Sequence, residues 1–154
     1  MIPIELQSRL IERMEKLFKH FRVEDEEKYI ALNIYPQDLP EKTDHDEEHY
    51  PYVIVKLVTG SDEEENSPHQ VRVLFIVGVF DHDNKYRGYK YVATIMSKIY
   101  QDLKRLRVVG DRFELVYPIN WVIHEEDTHP YFFGGIETYW EAPQPLREDV
   151  EELI

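Results

Sequence analysis

A chain of 154 residues fits one domain of ordinary size, able to bury roughly 70% of its unfolded surface without disulfide or metal staples. It contains no cysteine, which excludes disulfides, thiolate metal sites and cysteine nucleophiles together. Its 31 acidic residues outnumber 18 Lys and Arg for a formal charge of −13, a global field that opposes nucleic acid and anionic membranes as partners, while Lys98, Lys104, Arg105 and Arg107 cluster as a candidate local basic patch.

The opening MIPIELQSRLIERMEK has no basic flank followed by an apolar run, so no signal peptide is expected. No window approaches the length of a transmembrane helix. Residues Ile4–Phe21 predict a helix, with Leu10, Met14, Leu17, Phe18 and Phe21 recurring on one stripe and Pro3 tolerated at its start. Glu24–Glu27 reads as an acidic break, followed by a strand at Lys28–Tyr35 that puts Ile30, Leu32 and Ile34 on one face. Pro36 and Pro40 end that strand, and Gln37–Tyr50 reads as a polar loop.

Tyr52–Thr59 and Gln70–Phe80 are rich in β-branched residues and predict an antiparallel hairpin across the acidic connector Gly60–Pro68. The second strand is apolar on both faces beyond Arg72 and belongs in the middle of a sheet. Tyr89–Leu106 predicts a second helix with a stripe of Val92, Ile95, Met96, Ile99, Leu103 and Leu106, cations at its C-terminal end, and Gly110 as its stop. Phe113–Tyr117, Ile119–His124 and Phe132–Trp140 follow as strands, punctuated by Pro118 and Pro130. The expected fold is α+β: a single mixed, largely antiparallel sheet of about five to six strands with two amphipathic helices on one face. Residues 1–142 form the domain and residues 143–154 a C-terminal arm.

Three clusters invite a chemical reading. Asp44, His45, Asp46, Glu47, Glu48 and His49 are metal-ligand types, but they lie in a loop and lack an H-E-x-x-H pattern. Asp81-His82-Asp83-Asn84 starts like a calcium loop, then fails where Lys85 and Tyr86 replace the required Asp or Asn and Gly. His124, Glu125, Glu126, Asp127 and His129 supply acid–base groups without a third partner or a pocket. No serine lies in G-x-S-x-G, and no P-loop or G-x-G-x-x-G occurs. The expectation is a non-enzyme without catalytic residues, metal or cofactor. The alternative is a small metal-dependent enzyme built on the His and acidic clusters.

Interface candidates stand out more clearly. Asp62, Glu63, Glu64 and Glu65 form an acidic tip that resists burial. Tyr131, Phe132 and Phe133 precede Gly134 and Gly135, a run suited to core packing, a close backbone approach or an interface anchor. Leu146, Val150 and Leu153 follow Pro143 and Pro145 at helical spacing among Glu148, Asp149, Glu151 and Glu152, a short amphipathic segment that needs a surface to bury against.

PYVIVKLVTG, its acidic tip and VRVLFIVGVFD, with GYKYVATIMSKIYQDL and RFELVYPINWVIHEEDTHPYFFGGIETYWEAP, resemble small proteins encoded among tailed-bacteriophage structural genes. The order of helix, strands, helix and strands is similar to that of phage tail terminator (tail-completion, head–tail joining) proteins. The resemblance covers Pro51–Pro143, about 60% of the chain. It implies a virion protein assembled in the host cytoplasm: a homo-oligomeric ring, usually a hexamer, at the head-proximal end of the tail. Such a ring contacts the tail tube protein and a neck or head-closure protein, and DNA passes through it without specific binding. It brings no cofactor, catalytic residue or membrane contact. A head-closure or connector subunit is the alternative within the virion.

Overall fold

Leu6, Leu10, Met14 and Phe18 line one stripe and are all buried. In the computed structural model, which describes residues 2–25, 27–40, 46–81, 88–124 and 129–142, they belong to helix α1 (Ile4–Leu17) and the turn that follows it. The helix therefore stops a turn before Phe21, whose ring instead meets Phe18 edge-on at 5.6 Å. β1 (Arg22–Asp25) and β2 (Lys28–Ala31) pair as a small antiparallel hairpin around Glu27, which adopts φ 69°. Glu24 and Asp25 of the expected acidic break thus lie in a strand, and Glu27 in a turn. The expected Lys28–Tyr35 strand is split, because β3 (Asn33–Pro36) leaves the hairpin and joins the main sheet.

The main sheet has six strands in the order β3-β4-β5-β8-β7-β6, with β4 at Tyr52–Asp62, β5 at His69–Phe80, β6 at Val108–Val109, β7 at Phe113–Ile123 and β8 at Tyr131–Ala142. Every pairing is antiparallel except β3 with β4. A parallel neighbour needs a long crossover. The chain between β3 and β4 runs through the expected polar loop, whose described part includes a single 3-10 turn at Asp46–His49. Gln37, at φ 64°, extends the edge with its side chain, accepting from Leu57 N at 3.0 Å and donating to Leu57 O at 2.9 Å where β4 bulges. Pro118 cannot donate a ladder bond, and β7 shifts register between Val116 and Asn120 around it. The two strands expected there are one irregular strand.

Helix α2 (Gly88–Arg105) lies across β5, β7 and β8, while α1 packs on β3 and β4 and reaches β6. Both helices cover one face. Val92, Ile95, Met96, Ile99 and Leu103 are buried there, each contributing about 1.5–3 kcal/mol before ordering costs. Beneath them lie Val71, Val73, Phe75 and Val77 of β5 and Ile136 and Trp140 of β8. Leu106, the last residue of the expected stripe, lies just past the end of α2 and is 51% exposed. Gly110 is not the helix stop: at φ 62° it supplies, with Asp111 at φ 58°, the left-handed turn between β6 and β7.

Candidate interaction surfaces

Strand alternation assigns each side chain to the helix-covered face or the open one. On β5 and β8, cross-strand partners on the open face are Arg72 with Tyr139, Leu74 with Glu137, Ile76 with Gly135, Gly78 with Phe133 and Phe80 with Tyr131. Of these, Arg72, Leu74, Ile76, Phe133 and Glu137, with Asn120 and Val122 of β7, line a groove of about 520 Å³ whose apolar side chains include Leu74, Ile76 and Phe133. Its polar end is a network in which Arg72 Nε donates to Glu137 Oε2 at 2.8 Å, and Asn120 and Tyr139 donate to Glu137 Oε1 at 3.0 Å each. Arg72 first, then Asn120 and Tyr139, holds the Glu137 carboxyl below the usual carboxylate range. The Tyr139 hydroxyl is raised, mainly by that same bond to Glu137.

At the other end of this face, aromatic rings meet. Tyr50 lies 4.9 Å from Tyr52 and 5.2 Å from Tyr131, and Tyr131 stacks over Phe133 at 6.5 Å. Tyr52 leans over Gly78, where an added Cβ would fall 2.3 Å from its ring. Burial, followed by Tyr50, pushes the Tyr52 hydroxyl well above its ordinary range, so it stays neutral. The Tyr131-Phe132-Phe133 run is therefore divided. Tyr131 and Phe133 belong to the open face, and Phe132 turns to the helix side, where it leaves room only for Gly88 at the start of α2. Gly134 also serves a close approach, since a Cβ there would meet Met96 Sδ at 2.6 Å and Val92 Cγ1 at 2.8 Å.

A third surface escaped sequence reasoning. Trp121 is 66%, Val122 62% and Tyr117 56% exposed along β7. Trp121 pairs with Ile136 and so points to the helix side, yet it stands beside α2 over a hollow of about 270 Å³ that Met96, Tyr100 and Ile123 also line. Exposed aromatics of this kind are common anchors of protein interfaces.

The acidic connector is the tip of the β4–β5 hairpin, with Asp62 in β4 and Glu63, Glu64 and Glu65 all exposed. Ser67 closes the turn, accepting from Glu64 N at 2.8 Å and donating to Glu64 O at 3.0 Å. Asp62 differs from its neighbours, since its Oδ1 lies 2.6 Å from Nδ1 of the buried His69. Replacing Glu63 and Glu64 with Ser is accordingly expected to change unfolding free energy by less than about 0.5 kcal/mol in urea melts. A larger loss would mean that these acids serve the fold itself.

The described histidines of the candidate metal clusters pack against aromatic rings. His124 lies against Phe133 and His129 against Phe132, on opposite faces of β8, at 6.2 and 6.0 Å. His49 packs edge-on to Tyr35. Among the described residues, no three His, Asp or Glu side chains converge as a metal site would require. Asp44, His45, His82 to Asn84, Glu125 to Asp127, and Leu146, Val150 and Leu153 with the whole 143–154 arm lie outside the described residues. No helix among the described residues is long and apolar enough to cross a membrane. No protein-family model matches the chain, and no curated protein is detectably similar to it in sequence.

Proposed function

We propose that this chain is a structural subunit of a tailed-phage virion, a tail terminator that caps the tail tube as a ring and presents a surface for head attachment. One observation carries the reading. The helices cover a single face of the sheet, leaving an apolar and aromatic open face, an exposed Trp121 flank and an acidic tip as three non-equivalent surfaces. A closed ring with more than two subunits needs such surfaces, because its contacts are heterologous: one patch meets a different patch on the next copy. Two further faces must meet the tube and the neck. The motif resemblance across Pro51–Pro143 supplies the phage context. The acidic tip suits a lumen through which DNA slides, since like charge repels phosphates at close range.

Electron microscopy of assembled tails, with this subunit tagged, tests the proposal. The expected result is one ring of about six copies at the head-proximal end, and overlong tubes when the gene is deleted. A ring retained on the head after tails are removed would assign the subunit to head closure instead. Finding it at the baseplate or along the tube would sink the virion-joining reading.

A further inference from the structure

A groove of about 560 Å³ runs between α1, the end of α2 and β6, away from the open face. Arg9, Arg13, Lys16 and Arg105 line it against two acids, Glu12 and Asp102. Asp102 is already engaged by Arg13 at 2.6 Å and by Arg105 at 2.9 Å. In a chain of formal charge −13, this is a local basic patch. Arg13 also keeps a buried donor, Nη1, without an acceptor. The remaining lining is aliphatic, and its Leu106 and Val108 are 51% and 44% exposed. A nucleic-acid backbone could use the cations but would leave these side chains in water. The combination fits an acidic, amphipathic peptide, which buries an aliphatic stripe and presents carboxylates along its flanks.

The chain carries such a peptide. Leu146, Val150 and Leu153 share one stripe at helical spacing, and Glu148, Asp149, Glu151 and Glu152 fill the positions between. It begins four residues after Ala142, the last residue of β8. A helix of eight residues spans about 12 Å and does not persist alone in water. We propose that the α1–α2 groove receives the Leu146–Leu153 segment of a second copy. Each subunit then gives one arm and accepts one, the heterologous link that closes a ring, so this proposal rests on the assembly reading above.

The chain has no native cysteine, which makes the contact directly trappable. Val150→Cys in one full-length preparation is mixed with Leu106→Cys in another of distinguishable mass, under mild oxidation. The mixed disulfide dimer is expected to form at least roughly tenfold faster than with a Glu64→Cys control partner, because docking raises the local thiol concentration. Lys16→Glu with Arg105→Glu in the groove chain should abolish that advantage. Glu148→Lys with Glu151→Lys in the arm chain should restore it. Melting curves establish that each variant is folded, and Val108→Cys substitutes for Leu106→Cys should the latter unfold. A trapping rate equal to the control overturns the proposal. So does an internal disulfide in the Val150→Cys/Leu106→Cys double variant without mixed dimers, which would assign the groove to the chain's own arm. A mixed dimer found in assemblies that are not rings would leave the groove assignment standing and remove the terminator reading.

Discussion

Asp102→Ala is expected to lower the unfolding free energy by about 3–5 kcal/mol, measured by urea or thermal melting. Asp102 is only 7% exposed, and the Arg13 side chain that meets it is 14% exposed. The Arg13 guanidinium bonds both the Asp102 carboxylate and its main-chain oxygen, tying α1 to α2 across 89 residues of sequence. Removing the carboxylate leaves a largely buried cation with only the Asp102 main-chain oxygen to offset its desolvation. The gain in helix propensity from Ala, under about 1 kcal/mol, is too small to offset this. Arg105 adds little to the balance, because it is 72% exposed and its pairing is screened by water. The double variant Arg13→Met/Asp102→Leu separates causes. It should recover most of the loss, since well-packed apolar replacements of buried ion pairs are often neutral. An Asp102→Ala loss below about 1 kcal/mol would mean that Arg13 escapes to solvent when unpaired.

The ease of reading each element from sequence follows from what determines it. The α2 stripe and the β4–β5 hairpin were legible because burial repeats with the period of the element, and Val92, Ile95, Met96, Ile99 and Leu103 all face the core. The β1–β2 hairpin was not, because Glu24 and Asp25 have poor strand propensity and Val23 is the one described residue of β1 in the core. The parallel pairing of β3 with β4 joins residues distant in sequence, which no local pattern encodes. The candidate surfaces divide in the same way. The acidic tip was legible from charge alone. The split of Tyr131 and Phe133 from Phe132 follows from strand alternation once β8 is known to begin at Tyr131. The exposure of Trp121 and Leu106 was hidden, because it depends on how α2 is placed on the sheet. The basic groove was hidden as well, since Arg9, Arg13 and Lys16 meet Arg105 only after α1 and α2 pack together.

Trp140→Ala should destabilise the protein by about 3–5 kcal/mol, the range for removing a large aromatic from a core. Trp140 is fully buried on the helix side of β8, between its cross-strand partners Val71 of β5 and Leu115 of β7. Its indole also has a polar task. Nε1 donates to Thr138 Oγ1 at 2.9 Å, and that hydroxyl donates to Val73 O at 2.8 Å. Thr138 is itself fully buried, so water cannot replace a missing partner. Thr138→Val keeps shape and volume but leaves the indole N–H without an acceptor, for an expected loss of about 1–3 kcal/mol. Trp140→Phe keeps an aromatic ring, removes the donor and leaves a smaller void, so its cost should fall between the other two. If packing dominates, the order of loss is Ala, then Phe, then the Thr138 variant. A Thr138→Val loss equal to that of Trp140→Ala would show that the hydrogen-bonded chain from indole to Val73, rather than the filled volume, holds β8 against β5.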